Sequence, residues 1–179
     1  MEAKLPASLA EAINSRSRLK GSFTLRSGRI ANEYFDKYLF ESDPKLLKEV
    51  ADRMAALVPK NAQMLGGLEL GGVPLATLVA QATGFPVLFV RKEAKKYGTR
   101  RLAEGGDPTG QRIVLIEDIV TSGGAVLNAA AALRDLGGTV TDVICVIDRQ
   151  EGGHEALAAE GVALHAVLTR SDLDHALRG

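Results

Sequence analysis

Tryptophan is absent from this 179-residue chain, cysteine occurs once and aromatic residues make up 4%. The interior must therefore be filled by aliphatic side chains and alanine. A lone cysteine, Cys145, excludes an intramolecular disulfide. It lies in the apolar run from Val143 to Ile147 and reads as a small buried hydrophobe. His154, His165 and His175 make no metal-ligand spacing with it. Net charge is also missing: 22 Lys and Arg balance 22 Asp and Glu. A neutral total gives no support to broad attraction toward nucleic acid or a membrane surface. No apolar stretch reaches the roughly 18 residues that a membrane helix needs. The N-terminus carries charged and polar residues where a signal peptide needs an apolar run. A reducing cytoplasm is the expected compartment.

What the chain does have is an ordinary globular balance, 46% apolar and 25% charged, in a length that suits one domain. Residues 8 to 19 predict a short helix. Strands are expected at 23–27 and 33–39, joined by a turn at Gly28. Ser42-Asp43-Pro44 caps a helix running to about Val58. A repeating pattern follows. Strands are expected at 64–68, 86–90, 113–116, 140–147 and 163–168, with helices at 74–83, 125–136 and 155–159. Continuous aliphatic strands alternating with helices predict an α/β fold with a central parallel sheet covered on both faces. Lys92 to Gln111 breaks the pattern. It lacks a hydrophobic period and is rich in Lys, Arg and Gly, which suggests a lid or binding loop.

The sharpest local signal runs from Ile113 to Ala125: a buried strand, the acidic pair Glu117-Asp118, then Ile119, Val120, Thr121, Ser122, Gly123 and Gly124 leading into a helix. In an open parallel sheet, ligands bind beyond the carboxyl ends of the strands. A turn there presents free backbone N–H groups and a helix N-terminus, both suited to phosphate. Gly123 and Gly124 let the backbone approach the anion. Carboxylates repel phosphate but accept hydrogen bonds from sugar hydroxyls. The whole element therefore fits a ribose 5-phosphate.

This segment resembles the phosphoribosyl diphosphate signature of type I phosphoribosyltransferases. Further segments resemble the orotate phosphoribosyltransferases among them. Phe23-Thr24-Leu25-Arg26-Ser27-Gly28-Arg29 with Tyr34-Phe35-Asp36 is similar to their N-terminal motif. Leu68-Glu69-Leu70-Gly71-Gly72-Val73-Pro74-Leu75-Ala76 is similar to their diphosphate loop. Arg91-Lys92-Glu93-Ala94-Lys95-Lys96-Tyr97-Gly98, continuing to Gly106, is similar to their catalytic loop. Asp148-Arg149-Gln150-Glu151-Gly152-Gly153 is similar to the segment that supplies an orotate-binding Arg. The matches span about Phe23 to Gly153 in the expected order.

The resemblance implies a small N-terminal hood over about residues 1–40 and an α/β core over about 41–179. It implies transfer of ribose 5-phosphate from phosphoribosyl diphosphate to orotate, with Mg²⁺ held by substrate oxygens rather than directly by the protein. Lys95 and Asp118 are the expected catalytic residues. Arg91, Lys92, Lys95, Tyr97 and the run Glu117 to Ala125 are expected to hold the donor, with Glu69, Leu70, Gly71 and Gly72 at its diphosphate. Arg26, Tyr34, Phe35, Thr121 and Arg149 are expected at orotate. A homodimer with shared active sites is implied as well. The chain departs from the family pattern at Arg26, often Lys, and at Tyr97, often His. A phosphoribosyltransferase for another base would keep the 113–125 loop without needing the N-terminal and Arg149 motifs. A regulator that senses phosphoribosyl diphosphate would keep the loop while losing catalytic residues such as Lys95.

Overall fold

The computed structural model of the chain describes residues 8–24, 28–93 and 102–178. In chain order its elements are α1 (Leu9–Ser17), β1 (Arg18–Thr24), β2 (Ile30–Phe35), α2 (Lys37–Glu41), α3 (Pro44–Leu57), β3 (Met64–Leu68), α4 (Gly72–Thr83), β4 (Val87–Val90), β5 (Ala103–Glu104), β6 (Arg112–Val120), α5 (Gly124–Asp135), β7 (Thr139–Asp148), α6 (Gly153–Ala159), β8 (Ala163–Thr169) and α7 (Arg170–His175). They fall into two compact units, Met1–Leu47 with Ser171–Gly179, and Lys48–Arg170.

In the first unit Ser8 starts α1, its Oγ accepting the Glu11 N–H at 3.2 Å. β1 and β2 pair antiparallel. The expected strands at 23–27 and 33–39 are displaced. β1 begins at Arg18, which pairs with Phe35 in the ladder and holds Glu33 at 3.1 Å and Asp174 at 3.3 Å with its guanidinium. β2 stops at Phe35 because Asp36 turns the chain, its Oδ1 accepting the Tyr38 N–H at 3.1 Å to open α2. Asp43 caps α3 as expected: its Oδ1 accepts N–H groups from Lys45 and Leu46 at 3.0 and 3.2 Å. α7 was not expected from the sequence pattern. Buried Asn14 ties it to α1 by donating from Nδ2 to the Leu173 carbonyl at 2.6 Å.

The second unit is built on a six-stranded sheet in the order β5-β4-β3-β6-β7-β8. Every neighbouring pair is parallel except β4 with β5. From β3 the chain steps outward to β4. From β6 it steps the other way to β7 and β8. Right-handed crossovers then place α4 and α5 on opposite faces, the doubly covered sheet that the aliphatic runs require. On one face Ile113, Leu115, Val143 and Cys145 pack with Val126, Ala130 and Leu133 of α5 and Leu157 of α6. On the other, Gly67 lets α4 approach: a Cβ at Gly67 would lie 2.8 Å from the Ala76 Cβ.

The sheet revises two expectations. The strand expected to end at Ile116 continues through Val120, so Glu117, Asp118, Ile119 and Val120 belong to β6 and not to the turn. β7 continues alongside, with Val120 opposite Asp148, and supplies the ladder that keeps them extended. The segment over residues 92–111, expected to lack regular structure, also contains a short strand. Ala103 and Glu104 pair with Val90 and Phe89 as an edge strand, and Ala103 is buried. The reversal of strand order falls between β3 and β6, where an open sheet leaves a crevice beyond its carboxyl ends.

Cys145 is fully buried as expected, and burial, with the Asp148 carboxylate adding to it, pushes its thiol pKa well up. The folded thiol therefore keeps its proton above about pH 8.5, where the unfolded thiol loses it. The native form then binds more protons than the unfolded form, so stability falls as pH rises. Urea unfolding between pH 8.5 and 10.5 should show a loss of up to about 1.4 kcal/mol per pH unit from this group. Cys145→Ala should remove that part of the slope. An unchanged slope would mean that the thiol ionises freely in the fold.

Candidate functional site at the sheet's carboxyl edge

β6 delivers its acidic pair to the switch point. Glu117 and Asp118 are consecutive strand residues, so they leave opposite faces of the sheet. Glu117 lines a pocket together with residues 119–126. Asp118 turns toward the loop after β3, where a Cβ at Gly71 would overlap its carboxylate. Both side chains are buried and locally anchored. Glu117 Oε1 accepts the Asp118 N–H at 2.9 Å, and Asp118 Oδ1 accepts the Ile119 N–H at 2.5 Å. These bonds hold each carboxylate to its own strand end, one on each side of β6.

Beyond Val120 the chain turns through Thr121 and Ser122 to Gly123, which caps α5 with φ +82. That left-handed conformation suits glycine. No side chain caps α5 at Gly123, so the helix's first N–H groups and its positive dipole end face the pocket. An anion is the natural occupant.

Glycines on the neighbouring loops press against this strand end. A Cβ at Gly72 would overlap the Ile116 carbonyl, which lets α4 start directly beside β6. A Cβ at Gly153 would overlap the Thr121 carbonyl and lie 2.8 Å from Val120 Cγ1. Gly123 packs from its own side against Leu157 and Gly153. Gly153 and Leu157 of α6 therefore form the floor under the pocket loop. This support was missed in the sequence, where Gly152-Gly153 looked like part of a base-binding segment. The doubled glycine after a strand was the available signal.

The remaining expected site residues are placed as follows. Glu69, expected at the diphosphate, reaches sideways, its Oε1 accepting the Lys92 N–H at 2.6 Å. Leu70 is exposed. Arg91 joins the end of β4 to the segment after residue 101 through its N–H to the Leu102 carbonyl at 2.9 Å. Arg149 follows β7, and its N–H donates to the Val120 carbonyl at 2.9 Å. Thr121, Arg149 and the acidic pair thus meet at one strand end, with the Glu69–Gly72 loop beside them. Tyr34 and Phe35 lie in the first compact unit. As neighbours on β2 they point to opposite faces, so one of them at most can cover a given ring face. Tyr34 packs against Phe23, with ring centroids 5.5 Å apart. Arg26, Lys95 and Tyr97 lie outside the described residues.

A sugar phosphate fits this edge, and comparison with known proteins agrees with it. The phosphoribosyl transferase domain model matches residues 40–160. The orotate phosphoribosyltransferase of Nocardioides sp. strain JS614 is 55% identical over 172 residues, 96% of each chain. The chain belongs to the orotate phosphoribosyltransferases. The fold agrees as well. The orotate phosphoribosyltransferase of Mycobacterium tuberculosis H37Rv, solved with Fe(III) dicitrate, superposes with a TM-score of 0.84 at 38% identity, covering 92% of this chain and 96% of that one. The same enzyme solved with 5-phospho-α-D-ribosyl 1-diphosphate gives 0.79 at 34% identity, with 93% and 96% covered. Membership of this family gives the pocket loop's glycine floor a direct test. Gly153→Ala should leave the chain folded while pushing the Thr121 carbonyl out of place. Ribose 5-phosphate affinity, titrated by calorimetry, should fall about tenfold or more, the scale of one lost charge-assisted hydrogen bond. Wild-type affinity would mean that the loop does not need α6 beneath it.

Proposed function

We infer that the chain transfers the ribose 5-phosphate unit of phosphoribosyl diphosphate to orotate, giving orotidine 5′-monophosphate and diphosphate, a step of pyrimidine biosynthesis. The observation that carries this reading is the end of β6. A pocket with an uncapped helix N-terminus suits the 5-phosphate. The Glu117 and Asp118 carboxylates, one on each side of the strand end, suit the ribose hydroxyls. The M. tuberculosis relative solved with the same donor supports it.

In this reading a ring nitrogen of orotate forms the new bond to the anomeric carbon while the bond to diphosphate breaks. Asp118 and Glu117 hold the sugar. Backbone N–H groups over residues 121–125 hold the 5-phosphate. Negative charge grows on the departing diphosphate, so cations there act most strongly in the transition state. Lys95 is assigned that task, with Arg91, Lys92 and Tyr97 beside it and the Glu69–Gly72 loop under the diphosphate. Arg149, Thr121 and Arg26 are assigned to orotate, whose carboxylate and imide oxygens match an arginine fork, and Tyr34 or Phe35 to its ring face. Exclusion of water by residues 95–106 would protect the donor from hydrolysis.

Mg²⁺ is assigned to oxygens of the diphosphate and ribose rather than to protein ligands, since it prefers oxygen donors and often keeps its waters. When bound there, Mg²⁺ supplies positive charge to the diphosphate. We further propose a single 179-residue domain with a hood over about residues 1–40, a cytoplasmic location and a homodimer with shared sites. Among the described residues no helix is long and apolar enough to cross a membrane. The separate N-terminal compact unit supports the hood.

Orotate consumption, followed by absorbance with donor and Mg²⁺, tests the activity. Asp118→Asn should cut kcat/KM for the donor about tenfold to a hundredfold, the scale of hydrogen bonds to a charged group. Arg149→Ala should raise the orotate KM and leave the donor KM near wild type. A chain that consumes adenine or another base in preference to orotate would overturn the reading. Shared sites have their own test. Lys95→Ala and Asp118→Asn homodimers should each be nearly inactive, and mixing them under subunit exchange should restore up to about half the wild-type rate per mixed dimer. Verified mixed dimers without recovered activity would assign each catalytic loop to its own subunit.

A further inference from the structure

Arg149 is held at both its backbone and its side chain. Its backbone N–H is fixed to the Val120 carbonyl at 2.9 Å, so its position is tied to the end of β6. The chain then reverses at once. Asp148 Oδ1 accepts the Gln150 N–H at 2.8 Å, and Gln150 adopts φ +55. This turn carries Glu151 back against the Arg149 side chain, with Oε1 3.3 Å from Nη2. The same oxygen lies 3.9 Å from Arg170 Nη1. Glu151 thus sits between the guanidinium groups of Arg149 and Arg170, and only the outer end of Arg149 is engaged.

The inner nitrogen is different. Arg149 Nε is buried and has no hydrogen-bond partner among the described residues. A buried N–H left without an acceptor is costly, and an acceptor on a bound ligand removes that cost. A guanidinium carries its donors in a rigid plane. Fixing one terminal nitrogen on Glu151 therefore fixes the direction of Nε. A planar base that offers an imide carbonyl or a carboxylate oxygen is the kind of ligand this donor suits.

We propose that Glu151 is a positioning residue for base recognition: it holds Arg149 by Nη2, with Arg170 bracing it from behind, so that Nε is kept for an acceptor oxygen of the base. The proposal rests on the assignment of Arg149 to orotate. Glu151 touches neither base nor donor in this scheme. Its effect passes through the orientation of Arg149.

The test compares the wild type, Glu151→Ala, Glu151→Gln, Arg149→Ala and the double variant Arg149→Ala/Glu151→Ala in steady-state assays with orotate, donor and Mg²⁺. Glu151→Ala should raise the orotate KM about fivefold, the size expected of a partly exposed ion pair, with the donor KM and thermal midpoint unmoved. Glu151→Gln should recover part of the loss, since its amide oxygen still accepts. In the Arg149→Ala background, Glu151→Ala should add nothing. An unchanged orotate KM in Glu151→Ala overturns the proposal. A lowered one also overturns it, since Glu151 would then compete with the base for Arg149. An equal effect with and without Arg149 overturns it too. If the wild type consumes orotate, any of these failures leaves the functional reading standing. A wild type that does not consume orotate overturns both.

Discussion

Close backbone contact at the carboxyl end of β6 is the constraint on which the site depends. Gly71, Gly72 and Gly153 come from the loops after β3 and β7, and each stands where a Cβ would overlap β6 or the loop that follows it. Removing side chains at these points lets neighbouring loops and helix starts converge on one strand end. The convergence shapes a pocket between the turn at residues 121–125 and the Glu117 carboxylate. It also presses Asp118 between strand and loop, where its carboxylate is buried yet bonded to the Ile119 N–H. A pocket walled largely by a tight backbone turn tolerates little displacement.

The division of labour between the faces of β6 follows from strand geometry. Consecutive residues of an extended chain point to opposite sides. Glu117 thereby belongs to the pocket under α5, and Asp118 to the side of α4 and the loop before it. A ribose placed across the strand end has a carboxylate on either side. The acidic pair is one motif in the sequence and two different surroundings in the fold.

Much of the α/β core was legible because its strands are continuous aliphatic runs. Met64–Leu68 and Ala163–Leu168 were legible for that reason, as was the cap at Asp43. The misplacements occurred where hydrophobic pattern does not decide structure. β6 runs on through Glu117 and Asp118 because β7 pairs with it, a contact distant in sequence. Ala103–Glu104 is too short to show a period and gains its strand character only from the neighbouring Val90 and Phe89. α7 depends on an Asn14 side chain more than 150 residues away. At the site, the loop from Thr121 to Gly124 was readable from its glycines and position. The support from Gly153 and Leu157 was not, because close approach between loops leaves only small residues as its mark.

In the proposed function this strand end holds a ribose 5-phosphate with a pyrimidine base beside Arg149. A crystal structure of the protein with orotidine 5′-monophosphate tests it most directly. Phosphate oxygens should lie within hydrogen-bond distance of backbone N–H groups between Thr121 and Ala125, with ribose hydroxyls on the Glu117 and Asp118 carboxylates and a base oxygen on Arg149. A nucleotide bound with its phosphate away from this loop, or with its base away from Arg149, would contradict it.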